Sequence, residues 1–204
     1  MPEPTVPSLL DRTLVVLVET SHPGNIGAAA RAMKTMGLRR LALVRPRMFP
    51  CAEATARASG ADDILMNARV VDSIEEAVAD CGVAIGTTAR PRYVEWPVTP
   101  PREAAEWAAT ETGASDVAIV FGRERTGLTN EELLGCQRAI RIPTSDEFSS
   151  LNLAQAVQIC AYEWRLAALA GQAATQPVPE DRLATAAELA GLIEHAKATM
   201  ALVE

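Results

Sequence analysis

Val16–Leu38 reads V-L-V-E-T-S-H-P-G-N-I-G-A-A-A-R-A-M-K-T-M-G-L. It opens inside a short apolar, β-branched run, Leu14–Val18, which predicts a strand. A turn with proline, glycine and asparagine follows, and then an alanine-rich stretch with helical character. Asn25 is placed to cap that helix, and Arg31 falls on its second turn, with small alanines that allow another backbone to approach closely.

The same alternation of strand and helix continues outward. Strands are predicted near Thr13–Glu19, Arg40–Val44, Arg69–Val71, Val83–Thr87, Val117–Phe121 and Ala139–Ile142, six in all. Helix-start signals lie between them: Ser73 with Glu76 and Thr129 with Glu132 have capping-box spacing, and Pro101 stands where a first helical turn begins. The pattern predicts an α/β fold, a mostly parallel sheet flanked by helices. A long helix is expected from about Leu151 to Ala170, then a Gln-, Thr- and Pro-bearing linker over 171–180, then an amphipathic helix over 181–204 that needs a partner surface.

Composition fits a globular protein: 204 residues, 49% hydrophobic and 22% charged, with a mean hydropathy of +0.07. Leu14–Val18 is too short to cross a bilayer, and the first twelve residues lack the basic head of a signal peptide, so a cytoplasmic location without membrane attachment is expected. Cys51, Cys81, Cys136 and Cys160 are widely spaced and His22 and His195 are the only histidines, which predicts free, mostly buried thiols and no metal site. The net charge of −7 argues against indiscriminate nucleic-acid binding. Yet Thr20–Ala52 contains no acidic residue while it holds Arg31, Lys34, Arg39, Arg40, Arg45 and Arg47. Only Lys34 and Lys197 are lysines, and arginine suits bidentate phosphate contacts better. On charge alone a solvated helix face is the favoured account of the pattern, and a phosphate-binding reading needs support from elsewhere.

Three loops follow strands, where open α/β sheets bind ligands. The first is Thr20–Gly27. The second is Phe121–Leu128, F-G-R-E-R-T-G-L, and the third is Ile142–Ala156, I-P-T-S-D-E-F-S-S-L-N-L-A-Q-A, with Ser149, Ser150 and Asn152 at the start of the long helix. Exposed amides there favour polar or anionic ligand groups. Neither a G-x-G-x-x-G nor a G-x-x-x-x-G-K-[ST] fingerprint is present, and G-N-I-G alone is an ordinary turn and cap; the conjunction of three loops carries the signal.

Those three stretches, in this order and in strand–loop–helix context, resemble the motifs of the SPOUT superfamily of RNA ribose methyltransferases, in particular the TrmH-like group and its TrmJ-like branch. The third is best seen in S-S-L-N-L-A-Q-A-V-Q, and the resemblance runs from about Leu14 to Trp164. It implies an α/β knot fold with a C-terminal deep trefoil knot in a methyltransferase domain over 1–170. The helix over 181–204 then corresponds to the start of a truncated helical extension. It also implies S-adenosylmethionine as cofactor, held by backbone atoms of loops that map here onto Thr87, Thr88, Ala89, Gly122, Ile142, Ser149, Ser150, Leu151 and Asn152, with Glu124 as a further contact. Members of the family act as homodimers, and the first-motif arginine, here Arg31, reaches the substrate beside the partner's cofactor.

The implied reaction is attack of a ribose 2′-oxygen on a sulfonium methyl, which requires positioning and loss of one proton but no metal. A guanidinium stays protonated in proteins and is a poor base, so Arg31 is expected to orient the ribose and stabilise developing charge, with Asn25 and Ser150 positioning it. Arg39 and Arg40, and Arg90 and Arg92 beside Tyr93, are candidate RNA contacts. For Glu124, a local ion pair with Arg123 or Arg125 competes with a ligand role. The branch implies cytidine or uridine 32 of the tRNA anticodon loop as target. The alternatives are ribosomal RNA or another tRNA position, a non-catalytic RNA-binding module of the same fold, and, more distantly, a nicotinamide-binding enzyme.

Overall fold

The computed structural model describes residues 8–89, 97–173, 195–197 and 199–200. At its centre, β1 (Thr13–Val18) and β6 (Val117–Phe121) are buried along their whole lengths. Strands covered on both faces can be apolar at every position, and this pair lies side by side in the middle of the sheet. β2 (Arg40–Val44), β3 (Arg69–Val71), β4 (Val83–Thr87), β5 (Val98–Thr99) and β7 (Arg138–Ile140) complete it. The order is β3-β2-β1-β6-β4-β7-β5, with every strand pairing parallel.

The sheet therefore has seven strands rather than the six expected. The missed one, β5, is two residues long and flanked by Pro97, Pro100 and Pro101, too short for any periodicity. It lies at the sheet edge and pairs with β7 by offering carbonyls: Ala139 N–H donates to Pro97 O at 3.1 Å and Arg141 N–H to Thr99 O at 3.0 Å. A proline without an N–H is harmless on that side. β7 ends at Ile140, short of the expected Ile142.

Side-chain alternation divides the interior in two. Val15, Leu17, Ile119 and Phe121 face one core with Ile26, Met33 and Trp164, while Leu14, Val16, Val18 and Val120 face the other with Val71, Leu128 and Leu133. Each fully buried aliphatic or phenyl side chain contributes about 1.5–3 kcal/mol, so these layers dominate stability.

The helices are α1 (Pro23–Met36), α2 (Ala52–Ala58), α3 (Asp62–Met66), α4 (Ile74–Val78), α5 (Pro101–Glu111), α6 (Asn130–Leu134) and α7 (Leu153–Ala173). Pro101 opens α5, and the Thr129–Glu132 capping box is complete. At α4 the box is offset: Ser73 caps Glu76 N–H, but the Glu76 carboxylate turns to Asp72 N–H. α1 begins at Pro23, so its cap is His22, whose Nδ1 accepts from Gly24 N–H at 3.2 Å. Asn25 lies inside the helix and is not its cap, because Pro23 is preorganised for the first helical position. Gly27 lets α1 close on α2, since a Cβ there would stand 2.0 Å from Ala54 O.

The chain divides into two compact units, Met1–Gln172 and Ala173–Glu204. α7 continues to Ala173, past the expected start of the linker at 171. Most of the helix expected over 181–204 lies outside the described residues; 195–197 and 199–200 are helical. No helix among the described residues is long and apolar enough to cross a membrane.

Candidate active site

The carboxyl ends of β4, β6 and β7 enclose a cavity of about 220 Å³. Thr87, Phe121 and Ile140 are the terminal residues of those strands, and the loops beyond them supply the remaining wall. Of the residues expected at a cofactor site, Thr87, Thr88 and Ala89 line it from β4, Gly122 and Glu124 from β6, and Ile142, Ser149, Ser150 and Leu151 from the segment after β7. The loops hold one another. Thr87 Oγ1 donates to Val120 O at 3.1 Å, and Thr88 N–H donates to Ile140 O at 2.9 Å. Gly122 presses on the turn ahead of it, so a Cβ there would lie 2.2 Å from Gly127 C and Leu128 N, and only glycine fits.

Asn152 does not border the cavity. Its Oδ1 accepts from Ala154 N–H at 2.9 Å while its own N–H donates to Gln155 Oε1 at 3.2 Å, which secures the start of α7. Its Nδ2 donates to Asn25 Oδ1 at 3.0 Å, and Asn25 Nδ2 in turn donates to Glu124 Oε1 at 2.9 Å. A single relay, Asn152 to Asn25 to Glu124, thus joins the third, first and second motif loops.

Glu124 is the anchor of that relay. Besides Asn25, its carboxylate accepts from Ser21 N–H at 3.1 Å, Ser21 Oγ at 3.0 Å and His22 N–H at 3.2 Å, at the positive end of α1. Burial opposes its charged form, but the hydrogen bonds from Asn25 and the amides outweigh it and hold its pKa below the ordinary glutamate value. Glu124 therefore ties loops together, with no ion pair to either neighbouring arginine among the described residues.

Arg123 belongs to a separate ionic cluster. Its Nε donates to Glu19 at 2.8 Å and its two terminal nitrogens grip Glu132 at 2.9 Å each, while Glu19 also pairs with Arg45. The Arg123 hydrogen bond leads the interactions that lower the Glu19 pKa. Glu19 and Arg45 both adopt left-handed backbone, with φ of 47° and 45°, where β1 and β2 end. Sequence reasoning did not find this cluster, nor the places of Arg125, Thr126, Gly127 and Thr144 in the cavity wall, although the F-G-R-E-R-T-G-L run contains most of them.

Arg31 is exposed on α1, outside the cavity wall, and makes no hydrogen bond or ion pair with a described residue. Arg40 opens β2 at the amino end of the sheet and is paired with Asp116 at 2.6 Å, with Arg39 beside it, so both stand at the opposite end from the cavity. Arg90, Arg92 and Tyr93 lie outside the described residues. Of the four cysteine thiols, Cys136 and Cys160 are buried and their pKa values are pushed up by burial to about 11 and about 12, while Cys51 and Cys81 are half-buried. Among the described residues no three His, Cys, Asp or Glu side chains are grouped to hold a metal ion.

A model of the SpoU rRNA Methylase family matches residues 12–162, well over half of the sequence. The chain belongs to that family. A relative, the tRNA (cytidine/uridine/adenosine-2′-O-)-methyltransferase TrmJ of Pseudomonas aeruginosa, is 59% identical over 165 residues, 80% of this chain and 64% of the relative. The chain thus spans less than two thirds of that enzyme's length. Among solved structures, a probable methylase family protein from Haemophilus influenzae Rd KW20 shares 48% identity at a TM-score of 0.78, over 92% of this chain and 78% of that one. The SpoU methyltransferase AviRb from Streptomyces viridochromogenes, solved with AdoMet, has the same fold at 21% identity and a TM-score of 0.64, over 82% of this chain and 64% of that one. The matched span takes in all three motif loops, so the SpoU family assignment and the cavity concern the same residues.

Proposed function

We propose that this chain methylates a ribose 2′-hydroxyl in tRNA, at cytidine or uridine 32 of the anticodon loop, using S-adenosylmethionine. The observation that carries the proposal is the Asn152–Asn25–Glu124 relay, which fastens three motif loops around one cavity at the strand ends of a SpoU family chain. The TrmJ relative supports the tRNA substrate and the 2′-oxygen, and the AdoMet-bound neighbour supports the cofactor.

The cavity suits that cofactor chemically. Phe121, Ile140, Leu151 and Leu153 give apolar walls for an adenine ring and the methylenes of a methionine chain, while Thr87, Thr88, Ser149 and Ser150 put hydroxyls and loop amides beside them. The Gly122 contact brings backbone to the cavity surface where a side chain would displace it. When bound, S-adenosylmethionine supplies a methyl group made electrophilic by the sulfonium. Arg31 orients the ribose and its phosphate and stabilises charge developing on the 2′-oxygen, with Asn25 and Ser150 holding the arrangement. Because Arg31 lies outside its own cavity wall, the proposed active unit is a cytoplasmic homodimer in which Arg31 serves the partner's site. The proposed domain spans 1–170 and contains a trefoil knot; the insertion of β6 between β1 and β4, and then of β7 between β4 and β5, supports the knot.

The test is transfer of labelled methyl from S-adenosylmethionine to unmodified tRNA and, in parallel, to ribosomal RNA, followed by nucleoside mass spectrometry and mapping. A 2′-O-methylpyrimidine at position 32 is the expected product. Product only on ribosomal RNA, the substrate in the family's name, would replace the tRNA reading.

A further inference from the structure

Phe148 is 77% exposed and is the most exposed aromatic side chain among the described residues. Its neighbours in sequence make this informative. Ile142 and Thr144 line the cavity, the chain leaves the wall over 145–148, and it returns at Ser149, Ser150 and Leu151. Residues 141–152 form neither helix nor strand. Phe148 is therefore the last residue before the loop rejoins the wall, and its phenyl ring gains almost nothing from burial in this chain. Arg125 also lines the cavity, is exposed and makes no ion pair with a described residue, in contrast to Arg123 two positions earlier.

Resting on the methyltransferase reading above, we infer that Phe148 and Arg125 grip the RNA at the cavity mouth, the ring stacking on an unpaired base and the guanidinium holding a neighbouring phosphate. A ribose can reach a buried methyl donor only if its nucleotide is splayed from the strand, and a splayed base needs a surface to replace its lost stacking. A phenyl ring provides that surface for any base, because every base has a π-face. The adjacent Asp146 and Glu147 are exposed and repel phosphate, so the Phe148 side of the mouth takes the base and the Arg125 side the backbone.

The experiment measures tRNA binding, tRNA methylation and S-adenosylmethionine affinity for the full chain and its Phe148→Ala, Phe148→Leu, Phe148→Trp and Arg125→Gln variants, using unmodified tRNA. Phe148→Ala weakens tRNA binding or kcat/KM about 10-fold, the size of one lost base–aromatic stack. Phe148→Leu does the same, Phe148→Trp restores the wild-type value, and cofactor affinity stays constant in all three Phe148 variants. Arg125→Gln lowers the slope of log affinity against log salt by about one. Wild-type behaviour of Phe148→Leu, failure of Phe148→Trp to restore, a matching loss of cofactor affinity, or loss of self-association in Phe148→Ala would each overturn the inference. Wild-type protein that binds S-adenosylmethionine but neither binds nor methylates RNA would instead remove the functional reading on which the inference rests.

Discussion

The two ends of the sheet use arginine differently. At the amino end, Arg12 is 4% exposed and donates to Thr112 Oγ1, Ser115 O and Ala108 O, closing the start of β1 against the end of α5. Arg40 is paired with Asp116 just before β6. Both guanidiniums are committed to the fold. At the carboxyl end the arginines divide: Arg45 and Arg123 stiffen the strand ends through Glu19 and Glu132, while Arg125 lines the cavity without an ion pair among the described residues. A basic residue is thus informative about ligands only after its partners are known, and the basic window Arg31–Arg47 mixes both kinds.

The largest effect expected from breaking this contrast is on stability. Arg12→Leu leaves the buried Ala108 carbonyl, the partly buried Ser115 carbonyl and the Thr112 hydroxyl each short of a donor, and should cost about 3 kcal/mol, read as a lower denaturation midpoint, with activity per folded molecule unchanged. Arg31→Ala should do the reverse, lowering methyl transfer by about 100-fold while melting temperature and cofactor affinity stay at wild-type values. Asn25→Ala cuts the relay between three loops, for which about a 10-fold loss of transfer and about 1 kcal/mol of stability are expected, measured by single-turnover kinetics and denaturation.

A pH titration sharpens the picture further. The folded-state pKa values of Glu124 and Glu19 are both lowered, so the stability they contribute is present above the ordinary glutamate value of 4.5 and is lost as pH falls through the folded values. Glu124→Gln should flatten the acid limb of a stability–pH profile; an unchanged limb would place the acid sensitivity elsewhere. Smallest of all, Arg40→Gln removes a partly exposed pair worth about 0.2–1 kcal/mol and should leave the salt dependence of RNA binding unaltered.

The central strands were legible in the sequence because burial on both faces demands a continuous apolar run, and the three motif loops were legible because their glycines and small polar residues follow those runs. β5 was not, since its pairing through carbonyls leaves no pattern in side chains. Nor was the relay: Asn25 and Glu124 stand 99 positions apart and Asn25 and Asn152 127 apart, and only the sheet order brings them into contact. Helical spacing alone suggested Asn25 as a cap, whereas Pro23 moved the cap to His22 and left the Asn25 amide free to join the loops.

In the proposed homodimer, the cavity of one subunit and Arg31 of the other make one active site. Mixing Arg31→Ala with Gly122→Val, each verified as folded and dimeric, tests this most directly, because Gly122→Val blocks the cavity by displacing the Gly127–Leu128 peptide. Each variant alone should methylate tRNA about 100-fold more slowly than wild type or not at all, and subunit exchange should raise methyl transfer through hybrid dimers that carry one intact cavity and one intact Arg31 on opposite chains. A mixture that remains as inactive as its components, after exchange is confirmed, would contradict the shared site.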